Sequence, residues 1–225
     1  MKNPIFIFTV MVLMVLTTTG NVSAQDEESG SNFSAGTDFY TNYIWRGTKL
    51  GQGPSVQPNV KFESGGFTLG VWGSFDASGY AETDPYISYS FPFGLSLGFT
   101  DYYYPGLKLF DISKMSGSQA FELNAGFSKG GFSLSGNYIF NEAGGAASAG
   151  GDKYFQAGYS WSNVNVFVGA GDGWHTSNGN FNVCNIGLGT TKEIQITENF
   201  SLPVNGQVIF NPEREELFVV FGLSL

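Results

Sequence analysis

The sequence predicts an all-β chain: a membrane-spanning, antiparallel, up-and-down barrel of about 12 strands. Charged residues make up only 13% of the 225 residues, while aromatics reach 16% and glycines number 32. A soluble globular domain carries about 25% charge. Apolar and polar residues alternate with period two through one segment after another, and no segment carries the helical period. Connections also alternate in length. Tight turns at 64–66, 91–94, 129–131 and 162–163 are interleaved with longer loops at 77–83, 105–117, 142–151 and 171–180, the pattern of a barrel with short turns on one rim and long loops on the other. Mean hydropathy near zero excludes a helical membrane protein.

The first 24 residues read as an export signal, with a lone Lys2, an apolar run from Pro4 to Leu16, and the small-residue site Val22-Ser23-Ala24. The run is shorter than the roughly 20 residues of a spanning helix. Gln25 stands where a lipoprotein would have cysteine. The barrel domain is therefore assigned to 25–225.

The first strand is placed at 32–46. Phe39, Thr41, Tyr43 and Trp45 share one face; Asp38, Tyr40, Asn42, Ile44 and Arg46 share the other. Tyr43 and Trp45 are expected in an interfacial aromatic girdle, as is Trp161 further on. After a loop at 47–53, the strand 55–63 alternates Val56, Pro58, Val60 and Phe62 with polar residues; Pro58 removes a ladder donor and favours an edge or a bulge. Further strands are placed at 67–76, 84–91, 95–104, 121–128 and 132–141. The remaining four are at 152–161, 164–170, 181–191 and 200–211, with a closing strand at 217–225. Tyrosine, serine, asparagine and glycine dominate the polar faces, and lysines are scarce. A soluble sandwich would show Lys and Glu there, so these faces are assigned to a crowded lumen.

Predicted lumen residues are Asp38, Arg46, Lys61, Glu63, Asp84, Glu122 and Asp152, with the aromatics Trp72, Tyr86 and Tyr154. Five acids against two bases imply a weak preference for cations or neutral solutes. An ion-pair network of Arg46 with Asp38 and Glu63 is one arrangement this set allows. The net charge of −9 without a basic patch excludes nucleic acid as a partner. Cys184, the single cysteine, reads as a small apolar side chain sharing a face with Ile186 and Leu188. With one histidine and one cysteine, no transition-metal site, cofactor or catalytic set is expected. His175 and Ser177 lie too close along one loop to be held in register for proton transfer, which disfavours a barrel lipid hydrolase.

The segments Tyr43-Ile44-Trp45-Arg46-Gly47 and 53–58 (GPSVQP), with 65–75 (GGFTLGVWGSF) and 97–105 (LGFTDYYYP), resemble the TorF family of porins. The likeness spans the mature chain and is strongest before Pro105. It implies an outer-membrane barrel of a Gram-negative-type bacterium acting as a passive channel for small solutes, of no established identity. Its expected partners are outer-membrane lipid and the barrel-insertion machinery, and a homo-oligomer is compatible with it. Leu225 stands where outer-membrane barrels usually end on an aromatic residue. The rival reading is a non-conducting structural or adhesive barrel whose loops 105–117 and 142–151 meet a partner.

Overall fold

A computed structural model of the protein describes residues 32–225; the export signal assigned to 1–24 lies outside them. The strands are β1 (Phe33–Tyr40), β2 (Tyr43–Trp45), β3 (Thr48–Leu50), β4 (Ser55–Ser64), β5 (Phe67–Asp76), β6 (Ala81–Ser90) and β7 (Leu95–Tyr103). They continue as β8 (Gln119–Lys129), β9 (Phe132–Ile139), β10 (Asp152–Trp161), β11 (Val164–Gly171), β12 (Asn182–Thr197), β13 (Phe200–Asn211) and β14 (Glu216–Ser224). Twelve of these close an antiparallel barrel in chain order, with β1 joined to both β4 and β14; β2 and β3 form a separate hairpin. The barrel closes where Asp38, Phe39 and Tyr40 pair with Ser224, Leu223 and Gly222. Reciprocal backbone bonds of 2.9 Å between Thr37 and Leu225 extend that seam.

Period-two alternation sorts the side chains. Leu69, Val71, Ile87, Leu97, Leu123, Val168, Ile186, Val219 and Phe221 all face outward and exposed. Trp72, Asp84, Glu122, Asn124, Asn137, Tyr154 and Asn205, also on barrel strands, are buried inside. An apolar exterior around a polar interior inverts the layout of a soluble domain and matches a barrel in lipid.

Three details depart from the expected elements, and one expected irregularity is present. The first strand does not run to Arg46: β1 ends at Tyr40, and the chain turns inward at Thr41 and Asn42. Beyond those two polar residues Tyr43 and Trp45 keep the parity of Phe39, so parity alone does not mark the break. The loop placed at 77–83 shrinks to 77–80, because the Asp76 carboxylate accepts the backbone N–H of Ser78 and of Tyr80 and closes a tight turn. Pro58 does interrupt a ladder: Val56 and Asn59 pair with Phe75 and Trp72, while Gln57 and Pro58 have no partner on β5. In β12, Asn185 and Val183 pair with the consecutive residues Gly169 and Ala170, so Cys184 is the extra residue of a bulge. Cys184 consequently turns into the interior, away from the outward face of Ile186 and Leu188.

Candidate functional site

The interior of the barrel is organised around the β2–β3 hairpin. Trp45 pairs with Thr48 across the two-residue turn Arg46-Gly47, with φ of 51° and 84°. Two successive positive φ values define the type I′ turn that suits a tight hairpin, and glycine is the residue that adopts them most readily. Gly47 is required for a second reason. A Cβ there would lie 1.9 Å from the Cys184 carbonyl oxygen, which the β12 bulge presents to it. Asn211 Nδ2 donates to the Gly47 carbonyl at 3.0 Å, so the hairpin tip is seated against β12 and β13.

Each side chain of the hairpin then meets a different part of the wall. Tyr43 lies 5.4 Å, ring to ring, from Trp72 of β5 and 6.1 Å from Tyr80. Ile44 packs with Phe167, Ile209 and Val220 from β11, β13 and β14. Trp45 sits 5.5 Å from Tyr102 of β7, 6.0 Å from Trp174 and 5.0 Å from His175. At its base, Gln52 N–H donates to Asp76 at 2.7 Å. The hairpin is a plug.

Arg46 fixes its centre. Nη1 and Nη2 donate to the two Glu122 oxygens at 2.6 and 2.8 Å, a bidentate pair inside the barrel. The guanidinium carbon stands 4.6 Å from the Trp45 ring centroid and 4.7 Å from that of Tyr154. Glu122 is further held by the Tyr102 hydroxyl at 2.9 Å and by Asn124 Nδ2, which also donates to Asn137. Thr100 donates to Asn124 at 3.0 Å. On the other flank, Asn185 Nδ2 donates to Tyr154 Oη, whose own hydroxyl proton goes to Gln156. His175 Nε2 lies 3.5 Å from Arg46 Nη1. Burial, and then the Arg46 charge, hold this imidazole well below its usual value of 6.5, so it is neutral at pH 7.

The predicted site residues fall as follows. Asp38, Asp84, Glu122, Asp152, Trp72 and Tyr154 are buried inside the barrel, Asp38 opposite Ser224 on the closing seam. Tyr86 lies inward across Gly70, where an added Cβ would meet its hydroxyl at 2.5 Å. Lys61 pairs with Glu63 at 2.9 Å near the short-turn rim, where Glu63 is largely exposed. Arg46 is inside but reaches neither Asp38 nor Glu63, because the hairpin carries it to Glu122. Tyr43 and Trp45 are not girdle residues, since the same hairpin buries them in the interior, away from the barrel's outer face. Trp161 does face outward, half exposed and stacked with Tyr159 at the tight-turn rim. His175 and Ser177 are not brought together. The Ser177 hydroxyl and N–H both donate to Glu213, holding its carboxyl below the usual range.

Glu82, Tyr80, Tyr104, Asn185 and Asn211 belong to the interior but were not singled out by the sequence. Glu82 was legible in principle, sitting two residues before Asp84 and hence on its face, but the overlong loop at 77–83 concealed it. Asn211 was hidden because its partner, the Gly47 carbonyl, is backbone.

A family model described as a bacterial protein of unknown function (Gcw_chp) matches residues 24–191. The chain belongs to this family. No curated protein matches the chain. Among solved structures, a mutant of Rhodopseudomonas blastica porin is 16% identical with a TM-score of 0.41, covering 76% of this Gcw_chp chain and 55% of the porin. A second, triple mutant of the same porin gives 15% identity and a TM-score of 0.40 over the same shares. The Gcw_chp chain thus spans about half the length of the porins it matches.

Proposed function

We infer that the protein is an outer-membrane channel of porin type, passing small cations and neutral solutes by diffusion past an in-turned hairpin. The observation that carries this reading is the inverted sidedness: a closed barrel with an apolar exterior and an interior of carboxylates, amides, hydroxyls and aromatic rings. The likeness of Tyr43-Ile44-Trp45-Arg46-Gly47 to the TorF family of porins supports it, and that motif is the plug itself. Selectivity follows from interior charge. Glu122 is neutralised by Arg46 and Glu63 by Lys61, which leaves Asp38, Glu82, Asp84 and Asp152 to favour cations.

Twelve strands give a narrower lumen than the 16–18 of wide porins, and the hairpin narrows it further. The reading therefore calls for small, intermittent conductance. Recording from refolded protein in planar bilayers tests it: cation-selective steps are expected, and no current across several salts at either polarity would sink the channel reading. The rival, a non-conducting barrel with an adhesive cap, draws on the loops at the long-loop rim. There the 142–151 loop bonds to the 105–117 loop through Gly144 N–H to Lys114 O and Ala146 N–H to Gly117 O. Phe110, Ile112 and Met115 are left exposed on that cap.

A further inference from the structure

Inside the barrel, beside the plug but outside its Arg46 network, lies a second cluster. Glu82 and Asp84 are two residues apart on the inward face of β6, each 1% exposed. Among the described residues neither forms an ion pair. Glu82 accepts the Tyr80 hydroxyl at 2.7 Å, and the hydroxyls of Tyr43 and Tyr104 are turned to the same carboxylate. Asp84 differs. Neither of its oxygens meets a hydrogen-bonding side chain, although the residue is as deeply buried as Glu82. Across the ladder from it stands Trp72, 3% exposed, whose indole N–H is likewise without an acceptor. The Tyr43 ring closes on Trp72 at 5.4 Å, and Tyr80 on Tyr43 at 6.1 Å.

Carboxylates taken out of water are strongly disfavoured unless a positive charge or donors accompany them. The one guanidinium the plug brings in is committed to Glu122. Glu82 and Asp84 therefore offer two carboxyl groups without a counter-charge within a ring of aromatic faces, whose quadrupoles also favour a cation. The donors are all oxygen, with no imidazole or thiolate among them, which selects hard cations over transition metals.

We propose that Glu82 and Asp84, walled by Tyr43, Trp72, Tyr80 and Tyr104, form a binding site for one hard cation within the barrel. Asp84 supplies oxygens that no side chain engages, the Tyr103 backbone alone approaching them, and Glu82 supplies the second carboxyl group. The site deepens the channel reading by naming a place where a permeating cation pauses, and it rests on that reading for its role in transport, though not for binding. Because Tyr43 belongs to the hairpin, an occupied site also ties the plug to the β5–β6 wall.

The test is a fluorescence titration of refolded protein in detergent with KCl, NaCl and CaCl2, ionic strength being held constant with choline chloride. Trp72 reports occupancy. The wild type is expected to show a saturable change with at least one of the three cations, the three arms separating alkali from alkaline-earth binding. Asp84→Asn and Glu82→Gln should each weaken the midpoint at least tenfold. No saturable change with any salt, or unaltered midpoints in both variants, would overturn the site. A protein that binds but never conducts keeps the site and loses the channel. One that conducts with an Asp84→Asn reversal potential equal to wild type, and shows no saturable binding, keeps the channel and loses the site.

Discussion

Replacing Glu122 by Gln tests how the plug is held. Glu122 takes both forks of Arg46 at 2.6 and 2.8 Å and is itself 1% exposed at the side chain, with Arg46 at 11%. Breaking a buried pair by removing one partner costs about 3–5 kcal/mol, because the surviving charge is left unpaired. Some of that is recovered here. The two ring faces of Trp45 and Tyr154 remain over the guanidinium, and the Gln carbonyl still accepts one bond, so about 3 kcal/mol is the appropriate end of the range. At 1.4 kcal/mol per decade this shifts the seated-to-released ratio about a hundredfold. Two assays read it. The time-averaged open fraction in bilayers should rise by about that factor until it saturates, and trypsin added to intact proteoliposomes should begin to cleave after Arg46. The double variant Arg46→Met with Glu122→Gln removes both charges and should lie closer to wild type than Glu122→Gln alone, the signature of a coupled pair. If folded Glu122→Gln keeps an open fraction within twofold of wild type and stays resistant at Arg46, the latch reasoning fails.

Other expectations concern the hairpin seat, pH and the membrane face. Gly47→Ala places a methyl 1.9 Å from the Cys184 carbonyl at a φ of 84°. It should unseat the hairpin as Glu122→Gln does without loss of the barrel, as circular dichroism would confirm; a normally trypsin-resistant Arg46 in this variant would contradict the docking. His175 faces Arg46, Trp45 and Tyr154, and its depressed pKa means that the released state binds a proton which the seated state refuses. Seating is therefore fully supported above about pH 6.5 and weakens as pH falls below it, so open fraction should rise at pH 5. His175→Gln should flatten that rise, and an unchanged pH profile would refute the assignment. Lipids brominated along the acyl chain should quench Trp161, which faces outward, but not Trp45 or Trp72; single-tryptophan variants resolve the contributions, and quenching of Trp72 would place the interior wrongly.

The barrel was legible because its two signals are periodic and redundant. Alternation along Phe121–Phe127 or Leu217–Leu223 is read from residue types alone, and the tight turns at 64–66, 91–94 and 129–131 carry glycine where positive φ is needed. The plug was not legible, although its residues drew attention. Phe39, Tyr43 and Trp45 keep to one face and Asp38, Asn42 and Arg46 to the other, so parity alone does not separate a strand that runs on to the rim from one that folds back at Thr41. What decides it is tertiary: an apolar Ile44 that fits Phe167, Ile209 and Val220, and a carbonyl at Cys184 that only a glycine can approach. The same holds for Arg46, whose partner Glu122 is 76 residues away. Cys184 failed for a local reason, since one bulged residue reverses the inside–outside order and no spacing rule marks where it falls.

The most direct test of the whole account is to excise the hairpin. A variant in which residues 42–51 are replaced by a short Gly-Ser turn leaves all twelve barrel strands intact. Recorded in the same bilayers, it should give larger, continuous, cation-selective conductance where the full-length protein gives small and intermittent steps. A folded, hairpin-free barrel that conducts no better than the parent, or not at all, would contradict both the plug and the channel it is held to close.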